Sequence, residues 1–400
     1  MNPQSVDTIP WHCPQDSGQN TALQSNTGWT PTRIDQRSGT DNWWKHPLNR
    51  PPAIAVVIPA HNEEDQIVDT IRSIQTQSLK PITILVVADN CTDNTIPLAA
   101  STGVYVGITH NNNAKKAGAL NQGLGCLELD RYDAIATVDA DTVAHPEFLA
   151  NAWKVMKTDP LMGGVSAVFR PKPKIKGRGL MGAWLVTCQT MEFARSASLR
   201  GTSEIHTMSG TGSVYRTFAV QEIIEQRGYL FAERPSNLVE DYETTLALKA
   251  SGWRVTANRG VITFTDVMLT LPELWAQRIR WQRGTIDEWR RQGWRPWTRK
   301  SISLSIATMT VQVVSWLLVA AAILTVARHG GLPNKAYWIP LVATSMLTPV
   351  FNAWHSREAG VKASIMSLLA IPDLVYNMLR TCWTWAALAL SLFTPTPTKW

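Results

Sequence analysis

Two aspartates two residues apart, Asp139 and Asp141, follow the apolar run Ala134-Ile-Ala-Thr-Val138. At an exposed strand end, such a pair can hold a hard divalent cation that also grips a diphosphate. The plainer reading is an Asp-rich turn. A second acidic pair, Glu240-Asp241, opens a segment whose interior is Leu246, Ala247 and Leu248. It reads either as a capped helix start, with Asn237 and Glu240 forming a capping box, or as the seat of a general base on Asp241. A third group, Gln277-Arg-Ile-Arg-Trp281, lies in a helical pattern. A turn of about 100° per residue gathers Gln277, Arg280 and Trp281 on one arc. An amide, a guanidinium and an aromatic plane suit sugar hydroxyls, a diphosphate and sugar stacking. The same stretch also fits a basic amphipathic helix on a membrane surface.

Strands must carry these turns. Ala53–Pro59, Ile82–Ala88, Val104–Ile108 and Ala134–Val138 are short apolar runs rich in β-branched residues. Between them, Ile67, Ile71 and Ile74 have helical spacing, and Ile96–Ser101 and Ala117–Leu129 also read as helices. Strands alternating with helices predict an α/β fold with a mainly parallel sheet covered on both faces. Ligands of such sheets bind at the carboxyl ends of strands, where His61-Asn-Glu-Glu64, Asp89–Asp93 and Asp139-Ala-Asp141 all fall. No G-x-G-x-x-G or Walker lysine motif points to a dinucleotide or ATP.

The 400 residues carry 38 Lys/Arg and 31 Asp/Glu, a formal charge of +7, and are 44% hydrophobic. That is a globular composition with room for two or three folded units. Only six of the basic and two of the acidic residues lie in 301–400. Ser301–Ala327 runs 27 residues without a charge, and about 20 apolar residues cross a bilayer. Ala336–Trp354 reads as a second crossing weakened by Pro340, Pro349 and Asn352. From Lys362 to about Phe393 an apolar pattern is interrupted by Asp373 and Arg380, fitting a broken helix, a re-entrant hairpin or a tilted span. Eight Lys/Arg against two acids between Ala276 and Lys300 predict that residues 1–300 face the cytoplasm. The basic run abuts the first span while the region before it is nearly balanced, so nucleic acid is not an expected partner. The N-terminus does not read as a secretory signal. Five cysteines without a C-x-x-C pair indicate neither a disulfide framework nor a zinc knuckle, and place the bulk of the chain in a reducing compartment.

Taken in order, Val57-Ile-Pro-Ala-His-Asn-Glu-Glu64, Val87-Ala-Asp89, Lys116-Ala-Gly-Ala-Leu-Asn121, Asp139-Ala-Asp141, Ser209-Gly-Thr-Gly-Ser-Val-Tyr-Arg216, Glu240-Asp241 and Gln277–Trp281 resemble the family 2 glycosyltransferases. They look most like the membrane-embedded synthases of the cellulose, chitin and hyaluronan type. The resemblance covers roughly residues 53–300. It implies a GT-A fold, a UDP-sugar donor, Mg2+ or Mn2+, and inversion at the anomeric carbon. On that resemblance Ala60, Asn62 and Glu64 line the nucleoside, Asp89 contacts uracil and Lys116 lies near the nucleotide. Asp139 binds the nucleotide-sugar and Asp141 the metal, with Asp139 beside it as the second metal carboxylate. Asp241, paired with Glu240, takes the acceptor proton. Arg280 offsets charge on the departing diphosphate, and Gln277 and Trp281 hold the acceptor end. The Gly210–Arg216 loop is similar to one that shapes the acceptor site; its plainer equivalent is a glycine-rich turn between strands.

The expected organisation is an N-terminal arm over 1–50, a GT-A domain over 51–270, an amphipathic interfacial segment over 271–300, and a transmembrane region of about two to four helices over 301–400. Such a protein is integral to the membrane, with membrane lipid as a partner. Ala88 stands where many relatives have the first of two aspartates, and Val239 where the synthases usually have threonine. Large polymer secretors carry membrane helices ahead of the catalytic domain, and this sequence shows none there. About three spans are thin for a polymer channel unless copies associate, so a homo-oligomer belongs among the expectations. Three functions follow: extension of a saccharide or glycolipid acceptor, transfer of one sugar to a polyprenyl phosphate or other lipid carrier, and a non-catalytic membrane-anchored scaffold that binds no donor.

Overall fold

The computed structural model describes residues 50–173, 179–200, 205, 207–234, 237–330, 339–369 and 371–395. The expected N-terminal arm, apart from Arg50, lies outside the described residues. The chain divides into two units, one formed by residues up to 173 with 200–266, the other by 174–199 with 267–397. The division is not linear along the chain, as a single boundary near 270 implies. Residues 174–199 belong with the later helices.

In the first unit the order is β1 (Ile54–Ala60), α1 (Ile67–Gln75), β2 (Thr83–Ala88), α2 (Thr95–Ser101), β3 (Tyr105–Ile108), α3 (Lys115–Gly125), β4 (Ala134–Val138), β5 (Val143–Ala144), α4 (Phe148–Met156) and β6 (Met162–Pro171). After α5 (Gly179–Arg200), which belongs to the second unit but for its last residue, come β7 (Gly212–Arg216), α6 (Thr217–Arg227), α7 (Glu240–Ala250) and β8 (Arg254–Thr265). One eight-stranded sheet runs β3-β2-β1-β4-β7-β6-β8-β5. The parallel arrangement expected from the sequence holds for β3, β2, β1 and β4. Beyond β4 the sheet is mixed, because β7 is antiparallel to both β4 and β6 and β5 is antiparallel to β8. This corrects the mainly parallel reading to a GT-A-like mixed sheet. The reversal matters for the site. Pairing of Val138 with Gly212 sets the start of β7 beside the end of β4, so the Ser209–Thr211 turn arrives next to Asp139.

Ile54, Val56, Ile58, Ile67, Ile71, Ile74 and Phe148 are fully buried in one apolar cluster under this sheet. Arg216 ends β7 in the same interior, donating to the carbonyls of Met162 at 3.0 Å, Met156 at 2.6 Å and Asp159 at 3.1 Å. Replacing it by Met leaves buried carbonyls without donors, each worth about 1–3 kcal/mol. Arg216→Met is therefore expected to lower unfolding free energy by about 3 kcal/mol, read as a lower urea midpoint at constant slope.

The second unit contains α5, α8 (Leu271–Gln292), α9 (Arg299–His329), α10 (Ile339–Ser356), α11 (Val361–Leu368) and α12 (Ile371–Phe393). Leu185, Cys188, Leu274, Tyr376 and Trp383 form its buried cluster, drawn from α5, α8 and α12. Arg195 of α5 reaches Asp373 of α12 at 2.8 Å and the hydroxyls of Ser356 and Ser367 at 2.9 Å. Thr270 and Glu273 form the capping box that starts α8. Among the described residues one helix, Arg299–Arg328 within α9, is long and apolar enough to cross a membrane, where two to four were expected. The interrupted last stretch resolves into α11 and α12, with α12 starting just before Pro372. Of the basic residues ahead of α9, Arg278 and Arg283 are buried. Arg278 meets Glu192 at 2.8 Å, and Arg283 donates to the carbonyls of Thr394 and Pro395 past the end of α12. Two of the eight cations of that run are thus used in helix packing. Cys91, Cys188 and Cys382 are free thiols, whereas Cys126 is disulfide-bonded.

Candidate active site

The carboxyl ends of β1, β2 and β4 carry the three polar turns read from the sequence. Ala60 closes β1, buried, and its carbonyl accepts the Asp89 N–H at 2.8 Å. Asn62 follows in the left-handed region, φ 55°, a conformation that asparagine tolerates better than most residues. Its Oδ1 accepts the Thr92 N–H at 2.8 Å, and Glu64 Oε2 accepts both the Asn94 N–H and side-chain amide at 2.9 Å. Asn62 and Glu64 therefore brace the turn after β2. Asp89, itself buried, begins that turn, and its Oδ1 accepts from Asn90 at 3.0 Å, Thr109 at 2.8 Å and Asn112 at 2.8 Å.

Lys116, in the first turn of α3, ties β4 to α7. Its Nζ lies 2.6 Å from Asp139 Oδ1 and 2.9 Å from Glu240 Oε1. Burial works against the ammonium, yet the two carboxylates outweigh it and hold its pKa above the ordinary lysine value. The capping-box alternative for Glu240 is not what forms. Val239 is the N-cap of α7 without a side-chain cap bond, and Asn237 instead accepts the Val239 N–H at 3.3 Å. Asp241 accepts the Gly210 N–H at 3.0 Å on Oδ2 and the Tyr242 N–H at 2.7 Å on Oδ1. Burial and the neighbouring Glu240 push its pKa up to about 6, against Lys116 and the two amides. Gly210 is the close-approach residue of the cluster. A Cβ there would stand 2.9 Å from Lys116 Nζ and 3.6 Å from both Asp139 Oδ2 and Asp241 Oδ2.

Asp139, Asp141 and Glu63 share an excess of negative charge. Burial, opposed by Lys116 and reinforced by Asp141, raises Asp139 to about 7; burial, then Asp141 and Asp139, raise half-buried Glu63 to about 7. Carboxylates that raise one another in this way favour a cation between them. Among the described residues no three His, Cys, Asp or Glu side chains form a protein-only metal site. A pair of carboxylates completed by phosphate oxygens is the donor set Mg2+ ordinarily takes, and Asp139 with Asp141 fits it.

The fold thus brings Lys116, Asp139, Glu240 and Asp241 together and sets Asp141 close by, while Ala60, Asn62, Glu64 and Asp89 share the adjoining strand ends. Gln277, Arg280 and Trp281 are half-buried on α8 of the second unit. The Gln277 side-chain oxygen is buried without a partner, and the Arg278 guanidinium lies 4.5 Å from the Trp281 ring centre. Sequence reading gave no individual role to Glu63, Thr109, Asn112 or the amide of Gly210. The polar run Thr109–Asn113, at one more strand end, is the signal that could have found two of them. Asn121 is a further one. It bonds the carbonyl of Phe231 and the N–H groups of Leu230 and Phe231, fixing the segment that leads into α7.

Residues 55–224 match the family described as glycosyl transferase family 2. The poly-beta-1,6-N-acetyl-D-glucosamine synthase of Staphylococcus aureus (strain MSSA476) is 27% identical over 258 residues, covering 60% of this chain and 58% of that protein. Its counterpart from Staphylococcus epidermidis is 24% identical over 283 residues, 68% of this chain and 64% of that one. The chain therefore spans about three fifths of the length of these curated relatives. Among solved structures, the mannosyltransferase PcManGT from Pyrobaculum calidifontis, in complex with GDP-Man and Mn2+, aligns over 88% of this chain and 92% of its own at 18% identity and a TM-score of 0.48. With the mixed sheet, the strand-end carboxylates and the matched span in agreement, this chain carries a glycosyl transferase family 2 domain over residues 55–224.

Proposed function

We propose that the protein is an inverting, metal-dependent glycosyltransferase. It moves a sugar from a UDP-sugar to a saccharide or glycolipid acceptor at the cytoplasmic membrane face, anchored through α9. The observation that carries this reading is the Lys116–Asp139–Glu240–Asp241 cluster. It sets a carboxylate with raised proton affinity, oriented by two backbone amides, beside a cation and the strand-end aspartates. Asp241 removes the proton from the acceptor hydroxyl as its oxygen forms the new bond to the anomeric carbon, and the bond from that carbon to the diphosphate breaks. Lys116 holds Asp139 and Glu240 in register with it. Asp139 and Asp141 would hold Mg2+ or Mn2+, which when bound neutralises charge on the departing diphosphate. Ala60, Asn62, Glu64 and Asp89 shape the nucleoside end. Arg280 takes the diphosphate, and Gln277 and Trp281 the acceptor, by the chemistry of their motif. N-acetylglucosamine is the first sugar to try, because the curated relatives are named for a polymer of it.

The test is UDP release by the detergent-solubilised protein with Mg2+ or Mn2+ across a panel of UDP-sugars. Metal-dependent release from one sugar is the expected result, and silence across the panel in folded protein sinks the reading. Products that lengthen with time separate chain extension from transfer of one sugar to a lipid carrier. Gly210→Ala provides a milder probe of the same cluster. Its Cβ displaces the Lys116 ammonium rather than any backbone, so transfer is expected to fall about ten- to hundredfold with the thermal midpoint unchanged.

A further inference from the structure

Both amide hydrogens of Asn112 and its side-chain oxygen are engaged. Its Nδ2 donates to Asp89 Oδ1 at 2.8 Å and to the Lys115 carbonyl at 2.7 Å, while its Oδ1 accepts the Ala114 N–H at 2.9 Å. The two sides of this amide serve different elements. One holds the carboxylate that ends β2; the other holds the turn that starts α3. That turn is strained, since Lys115 sits at φ 55°, a left-handed conformation unfavourable for a lysine. The next residue is Lys116, which reaches Asp139 and Glu240. Room for the amide comes from Gly118, where a Cβ would stand 2.0 Å from Asn112 Oδ1.

The bonds to Asp89 are one-sided. Asn90, Thr109 and Asn112 all donate to Oδ1, and none of the three uses Oδ2, which keeps its capacity to accept. An acceptor placed there matches a ring N–H, such as N3–H of uracil, and mismatches the bare ring nitrogen of cytosine.

We propose that Asn112 is a positioning residue that couples nucleobase selection to the diphosphate end of the donor: it orients Asp89 as a one-sided acceptor for an imide base while locking the strained Lys115 turn that aims Lys116. The proposal rests on the glycosyl-transfer reading and deepens it. Aspartate at this position is isosteric but sets a second carboxylate against Asp89, and alanine frees both ends. Thr109→Val removes a donor to Asp89 and leaves the α3 turn intact, so it touches base selection alone.

The experiment titrates UDP and CDP, with Mg2+ present, into the full chain in detergent by calorimetry, with thermal unfolding alongside. The unsubstituted chain is expected to prefer UDP. Asn112→Ala and Asn112→Asp are expected to bind UDP about tenfold more weakly or worse and to lose most of the preference over CDP. Thr109→Val, the variant that keeps the fold should both Asn112 variants unfold, is expected to lose preference with a smaller loss of affinity. Equal weakening toward UDP and CDP, or no weakening, overturns the proposal, as does an unsubstituted chain that binds both alike. Failure of that chain to bind any nucleoside diphosphate overturns the glycosyl-transfer reading and this inference with it.

Discussion

Asp241→Asn is expected to lower sugar transfer by about three orders of magnitude, within the range general bases contribute, while UDP still binds. The amide keeps the size of the side chain and can still accept one of the N–H bonds from Gly210 and Tyr242, but it cannot take a proton. Initial-rate measurements beside UDP titration separate the two quantities, and full activity in the variant removes Asp241 from the mechanism. The pH dependence has a definite sign. The base works only when ionised, and its pKa stands at about 6 through burial and the charge of Glu240. Transfer should therefore rise with pH through about 6 and level off above it. Stability runs the other way. A carboxyl whose folded pKa exceeds the unfolded 3.8 binds more protons in the native state between those values, so its contribution to stability falls as pH rises through that window. Asp241→Asn is thus expected to raise the thermal midpoint at neutral pH while lowering turnover about a thousandfold.

Asp139→Asn/Asp141→Asn is expected to remove stimulation by Mg2+ or Mn2+ and to lower UDP release by about a hundredfold or more. The two single variants should differ. Asp141 makes no ion pair with Lys116, so Asp141→Asn should chiefly raise the metal concentration required, visible in a metal titration of the rate. Asp139→Asn also removes a 2.6 Å partner of Lys116, leaving Glu240 at 2.9 Å. The lysine then swings toward Glu240 and the register of Asp241 loosens. Metal at high concentration is expected to restore much of the rate to Asp141→Asn and little to Asp139→Asn.

What could be read in the sequence and what could not divide by the source of the signal. β1 to β4 are continuous apolar runs, and their ends differ from the expected ones by a residue or less; α1 shows helical spacing through Ile67, Ile71 and Ile74. The strand-end turns followed from these, and with them Asp89, Asp139 and Asp141. β7 carried no such signal. Gly212–Arg216 is buried throughout, with serine, tyrosine and arginine among five residues, and its antiparallel insertion is decided by partners distant in sequence. α7 was legible as a helix and not as a buried one, since Glu243, Thr244 and Thr245 are interior. The cap reading of Glu240 failed because Lys116, more than a hundred residues earlier, competes for its carboxylate. The Gly210 amide on Asp241 is a backbone contact that no side-chain pattern announces.

The discontinuity of the second unit has a consequence for how the chain is made. α5 leaves the ribosome between β6 and β7, before any of the partners that cover Leu185 and Cys188 has been synthesised. Leu274 follows about eighty residues later, and Tyr376 and Trp383 only near the end. Until α12 has been made, α5 is an apolar helix waiting for its cover, and Arg195 is a cation waiting for Asp373. Such delayed, non-local closure is slow and exposes sticky surface. A chain stopped before Ile371 keeps every carboxylate of the site and lacks the helix that closes α5 and α8.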